Sequence, residues 1–243
     1  MAPQKARPRP KLEGVAAADR LLTVLTAFRR GDDALGLSTL AERTRLVKST
    51  IMRLCISLER FGLIERVDDG RYRLGTEVAR LGSVYLQSFA LEAHVMPALE
   101  RLVAASGETA SFYIRRGQER LCLFRVDSPS PLRMHVRPGD LRPMDGSSIA
   151  QVLRRFDPAQ PIPPTRSSRG RKVALPIFSS GVTDPHVASM STPVMGAGGR
   201  LLGALAITGP ASRLTKALAA KLAPALETEA GLLTRALGGA PDA

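Results

Sequence analysis

The residues best placed to do chemistry lie between Lys48 and Arg60. Ser49, Thr50, Arg53 and Ser57 fall on one side of a helical spacing with Arg60 near them, while Ile51, Leu54, Cys55 and Leu58 recur at i, i+3, i+4 and i+7 on the other. A helix with an apolar back and a front of hydroxyls and arginine suits a DNA groove. A guanidinium can bond a guanine edge through two donors, and hydroxyls reach bases or phosphates. Lys48, at the helix start, is placed for a phosphate, and Arg71 further along for the DNA backbone or minor groove. A solvated helix face has the same composition, so the surrounding pattern decides between the two. Other chemistry is sparse. His94, His135 and His186 have no metal-ligand spacing, and Cys55 and Cys122 form neither a C-x-x-C nor a zinc pattern. Gly196 to Gly199 lacks the Lys-Ser/Thr that follows a phosphate loop and reads as a turn. There is no serine elbow and no Cys-His pair, which weighs against an enzyme with the helical segment as a mere interaction module. No cofactor is expected.

Stepping outward from Lys48, the pattern supplies the elements that would position that face. Leu21, Leu22, Leu25 and Phe28 predict a first helix from about Ala17, closed by Gly31-Asp32-Asp33. A short second helix is expected from Ser38 or Thr39 to Thr44, because either residue is a good N-cap and Thr39 with Glu42 has capping-box spacing. Arg45-Leu46-Val47 is a tight turn and Lys48 to Phe61 the third helix. Leu63 to Val67 and Arg71 to Leu74 read as strands around Asp68-Asp69-Gly70, a strong hairpin signal. Helix, helix, turn, helix, hairpin is the order of a winged helix-turn-helix, in which Ser38, Thr39, Lys48, Ser49, Thr50, Arg53 and Arg71 are the candidate DNA contacts.

Beyond it, Thr76 to about Ser88 reads as a linker helix and Leu91 to Ala105 as another. The period then turns towards two. Strands are expected at Thr109 to Arg115, Arg120 to Val126, Leu132 to Val136, Val173 to Phe178, Val187 to Val194 and Leu201 to Thr208, with helices over Ser147 to Phe156 and Leu214 to Leu237. Strands enclosed by helices mark an α+β domain. The stretch from Asp157 to Lys172 holds four prolines and a run of basic residues and reads as an irregular loop. The expected division is a disordered basic arm at 1–14, a winged domain at 15–75, a linker helix at 76–90 and an effector-binding domain at 91–243.

Several of these residues match a known family. Leu37 to Thr44, Leu46 to Leu54 and Leu58-Glu59 resemble the helix-turn-helix of IclR-type transcriptional regulators, and Gly70-Arg71-Tyr72-Arg73-Leu74-Gly75 resembles that family's wing and its exit. The likeness continues through Ser128-Pro129, Pro131 to Met134, Gly139-Asp140, Pro143-Met144 and Pro193-Val194, and closes on Gly203-Ala204-Leu205 and Gly209 to Leu214. It implies a fold of winged helix-turn-helix, linker helix and C-terminal α+β, GAF-like effector-binding domain. It also implies operator DNA as partner, a homodimer or homotetramer, and a small organic acid or aromatic as ligand. Met144, Ser148, Ile149, Asp184, Ser189 and Thr208 stand where the resemblance puts the ligand pocket, in which hydroxyls among apolar walls suit a carboxylate or polar ring. Two departures stand out: Arg45 occupies a turn position where the family usually has Gly, and 157–172 is shorter than the family's segment over the pocket. The second departure opens the alternative of a constitutive DNA-binding regulator that has lost its ligand.

Composition agrees with a nucleic-acid partner. The 243-residue chain carries 35 Lys and Arg against 22 Asp and Glu, a formal charge of +13. No apolar run is long enough to span a membrane, the first residues lack the apolar core of a secretory signal, and two distant cysteines suit a reduced, cytoplasmic protein.

Overall fold

A computed structural model describes residues 14–87, 91–132, 134–157 and 174–239. The chain forms two compact units, one reaching Tyr85 and the other starting at Leu86. The basic arm at 1–14 and the shortened 157–172 loop lie, but for Gly14 and Asp157, outside the described residues.

In the first unit α1 spans Ala16–Leu25, α2 Leu37–Thr44 and α3 Lys48–Arg60. The antiparallel wing pairs β1 (Ile64–Arg66) with β2 (Tyr72–Leu74), and α4 (Thr76–Gln87) follows. Val24, Leu40, Ile51, Cys55, Leu58, Ile64 and Tyr72 form one buried cluster, so the apolar stripe of α3 meets α1, α2 and the wing. Each such side chain contributes about 1.5–3 kcal/mol by leaving water. Leu35 adds a backbone bridge to Tyr72 that extends the wing by one short rung.

Two local expectations differ from the structure. The first helix ends at Leu25, before Phe28, and beyond it the Asp32 carboxylate accepts from the Arg29 N–H and binds the Arg43 guanidinium of α2. That ion pair fixes the connection that the sequence assigned to helix. The second helix starts at Leu37, with Gly36 as N-cap; neither Ser38 nor Thr39 caps it, because Leu40 already donates to the Gly36 carbonyl. Ser38 and Thr39 therefore sit inside the first turn. Arg45 adopts φ 59°, the left-handed conformation that favours glycine, and does so without being one. At the wing exit Gly75 is required sterically: a Cβ there would lie 2.2 Å from the Gly62 carbonyl oxygen.

In the second unit α5 (Leu91–Ser106) precedes β3 (Thr109–Arg116) and β4 (Glu119–Val126). Then come β5 (Leu141–Pro143), α6 (Ser148–Arg155), β6 (Ile177–Ser180), β7 (Val187–Met195), β8 (Leu201–Pro210) and α7 (Lys216–Ala236). The strands form one antiparallel sheet in the order β5-β4-β3-β8-β7-β6. Phe112, Phe124, Met190, Leu205 and Ile207 cover one face with α5 and α7. Tyr113, Cys122, Ile177, Ala204 and Ala206 line the other, against Ile149, Val152 and Leu153 of α6.

The strand expected at Leu132 to Val136 does not form. The Met134 carbonyl is taken by the Arg125 guanidinium at 2.6 Å, so a side chain satisfies the backbone that a ladder would have used. The edge strand is β5 instead, which the sequence did not suggest. The strand expected at Val173 to Phe178 is shifted to Ile177–Ser180; Val173 lies outside the described residues.

Candidate DNA-binding face and ligand cavity

Lys48, Ser49 and Arg53 are exposed and Thr50 is half-buried. None of the four makes a side-chain hydrogen bond or ion pair among the described residues, which leaves an uncommitted charged and hydroxyl-bearing face opposite Ile51, Cys55 and Leu58. Burial pushes the Cys55 thiol up to about 11, so it stays protonated and inert within the core. Ser38 is exposed and Thr39 half-buried on α2. Arg71 differs from the α3 residues: its Nε lies 2.6 Å from Asp69, whose carboxylate also accepts the Arg71 N–H. Half of that pair is in water, so it holds the arginine weakly. Met52 and Ile56, both largely exposed on α3, add apolar surface to the same outward side.

In the second unit a cavity of about 40 Å³ lies on the α6 side of the sheet. Ser189 of β7 and Thr208 of β8 are direct neighbours in register and form part of its floor, with Ile149 of α6 above. These three are brought together from the six expected ligand residues. Met144 is half-buried and packs against the cluster beneath α6 instead. Ser148, at the start of α6, is buried and is not part of the lining; its hydroxyl meets that of Ser189 at 2.8 Å and its N–H donates to Ser179. Asp184 is exposed and accepts the His186 N–H, closing its own turn.

What the sequence reading missed is the charge of the wall. Arg120, Arg125 and Arg142 all line the cavity, with Tyr113 and Thr183. The Arg120 guanidinium is 4% exposed as a residue and bonds both Asp145 oxygens, at 2.7 and 3.3 Å, and the Pro143 carbonyl. Burial by itself would raise the Asp145 pKa. The Arg120 guanidinium, the Ser147 and Thr183 hydroxyls and the Ser147 N–H outweigh it and hold this carboxyl well below the usual carboxylate range. Arg125 is held by Asp127 and the Met134 carbonyl. Burial pushes the Cys122 thiol up to about 11 and raises Tyr113 as well, so both stay neutral beside the arginines. Two further donors, the hydroxyls of Ser111 and Ser191, stand on either side of Ala206 in one sheet row, buried and without a partner among the described residues. No group of three potential metal ligands occurs among the described residues.

Residues 17–68 match the model of the IclR helix-turn-helix domain. Over an alignment of 246 residues the chain is 30% identical to the glycerol operon regulatory protein of Streptomyces griseus, covering 92% of this chain and 97% of that one. The chain belongs to the IclR family of transcriptional regulators. An IclR-type regulator from Silicibacter sp. TM1040 superposes with a TM-score of 0.78 at 25% identity, over 92% of this chain and 97% of the other. An IclR homolog from Microbacterium hydrocarbonoxydans, solved in complex with 4-hydroxybenzoate, shares the fold with a TM-score of 0.70 at 18% identity, over 91% and 99%. These relatives are regulatory proteins, not enzymes, and among the described residues this IclR protein has no helix long and apolar enough to cross a membrane.

The arginines of this IclR regulator had a readable signal. Arg120 stands two residues from Cys122, and period two carries both to the same sheet face. Arg115 and Arg120 also flank Gly117 at hairpin distance, which makes them cross-strand partners. A strand arginine ordinarily reads as surface charge, and only the register turns it inward.

Proposed function

We propose that this IclR regulator reads a specific operator with α3 and that a small anionic molecule, held in the cavity of the second unit, changes its affinity for that DNA. Arg53 and Ser49 are the base readers in this account, with Thr50 beside them; Lys48 and Arg71 hold phosphates, and Ser38 and Thr39 offer hydroxyls to the backbone from α2. The protein acts as a homodimer or homotetramer, which would place two such helices on a symmetric site. The observation that carries the ligand half of the reading is the lining itself: three arginines and the hydroxyls of Ser189, Thr208 and Thr183 beside the apolar walls of Ile149 and Val136. Apolar walls with a few fixed polar groups are what a small-molecule site needs, and the cationic bias selects an acid. A relative of the same fold holds 4-hydroxybenzoate, itself an acid, which agrees in charge.

A thermal-shift screen of small organic and aromatic acids tests this, because a ligand that binds only the folded state raises its melting temperature. The expected result is at least one acid whose stabilising effect disappears in Ser189→Leu and which alters the DNA affinity of the wild type. Binding to operator DNA that no acid changes would favour the constitutive alternative.

A further inference from the structure

We infer that the neighbouring arginines of β4 and β5, Arg120 and Arg142, form an oxyanion subsite in the cavity, and that the effector presents to it a doubly charged group, either a phosphate monoester or a pair of carboxylates. The inference rests on the ligand reading above and narrows it. Arg115 of β3 is the register partner of Arg120 of β4, and Arg120 is in turn the register partner of Arg142 of β5. Directly opposed residues in an antiparallel sheet point to the same face, and like charges so placed repel. Two carboxylates answer the three guanidiniums: Asp157 pairs with Arg115 and Asp145 with Arg120. Arg154 of α6 adds a fourth guanidinium, but it donates to the Asp145 backbone carbonyl and takes no share of the carboxylate. Arg142 is half-buried, lines the cavity and has no ionic or hydrogen-bonding partner among the described residues.

The second observation is independent of charge counting. The Nε of Arg120 is buried and donates to nothing among the described residues, although the other two nitrogens of that guanidinium bond Asp145 and Pro143. An unmade bond on a buried cation is costly, and an acceptor in the cavity would complete it. A single carboxylate has two oxygens, which the fork of Arg142 alone would occupy. A phosphate offers three acceptor oxygens and close to two negative charges, and a dicarboxylate offers four oxygens, so either can serve Arg142 and the Arg120 Nε together.

The test uses the full-length protein in thermal-shift titrations at constant ionic strength, with inorganic phosphate, malonate, acetate and benzoate as probes. Phosphate or malonate is expected to stabilise at concentrations at least tenfold below acetate and benzoate, and which of the two acts identifies the source of the double charge. Arg142→Gln is expected to raise the required concentration at least tenfold while DNA binding persists, and Arg142→Lys to keep part of the response. Acetate or benzoate acting as well as the dianions overturns the inference, as does a full dianion response in Arg142→Gln; in both cases the wider ligand reading survives. A wild type indifferent to all four probes overturns the inference too, and the wider reading then depends on the DNA titrations with other acids.

Discussion

Asp145 shows how a single carboxylate can tie structure to function in this protein. It is gripped by Arg120, Ser147 and Thr183, and the lowered pKa that results makes its contribution to stability depend on pH. A carboxyl with a depressed folded-state pKa stabilises fully above its unfolded value, about 4, and the stabilisation is lost as pH falls below that towards the folded value. Thermal unfolding of the second unit is therefore expected to weaken between about pH 4 and pH 2, and the slope in that window should flatten in Asp145→Asn. At neutral pH Asp145→Ala should cost about 3 kcal/mol, since it leaves the buried Arg120 uncompensated. An unchanged acid limb would remove Asp145 from this account. On the other unit Arg53→Ala is expected to weaken specific DNA binding by about 1–3 kcal/mol and relax one base preference, because an exposed guanidinium on α3 with no partner among the described residues has no structural task to lose. Gel shifts at fixed salt measure it, and equal operator affinity would exclude Arg53 as a reader.

At the scale of elements, the link from α2 to α3 is where sequence and backbone disagree most. Arg45 at φ 59° carries the left-handed penalty of about 1–2 kcal/mol. Arg45→Gly removes it but adds chain entropy, so a net gain of about 0.5 kcal/mol is expected, whereas Arg45→Val should be about 2 kcal/mol less stable than Arg45→Gly. Denaturant melts of the variants decide it, and equal stabilities would mean the turn relaxes freely. The sequence already pointed to this position. Helical period also placed the face of α3, because Ile51, Cys55 and Leu58 must reach one core whatever the connections do. The start of α2 was not legible: Ser38 and Thr39 are better caps than Gly36, but the register of Leu37 and Leu40 against the core set the helix one step earlier. The alternation Leu132, Met134, Val136 did reflect side chains turning inwards, since Met134 and Val136 line the cavity. It did not mean a strand, because pattern cannot reveal that Arg125 takes the Met134 carbonyl. In the site, Ile149, Ser189 and Thr208 were reachable from resemblance. The arginine row was legible only in part: the spacing about Gly117 pairs Arg115 with Arg120, but Arg142 joins them only through β5, a strand the sequence did not suggest.

For the whole molecule, charge governs how it meets DNA. With a formal charge of +13, and with Lys48 and Arg71 proposed at phosphates, log affinity should fall steeply as log salt rises. Removing residues 1–14, which carry a cluster of Lys and Arg, should flatten that slope if the arm meets phosphates, and an identical slope would assign it no contact. The regulatory claim demands more than binding. A ligand changes DNA affinity only through different affinities for the DNA-competent and incompetent states, and the coupling is reciprocal. The most direct test is therefore one titration: full-length protein against operator DNA at fixed salt, with and without a saturating acid that raises its melting temperature. The DNA dissociation constant is expected to change by at least about fivefold, an effect abolished in Ser189→Leu. An acid that saturates the cavity and leaves the dissociation constant unchanged would contradict it.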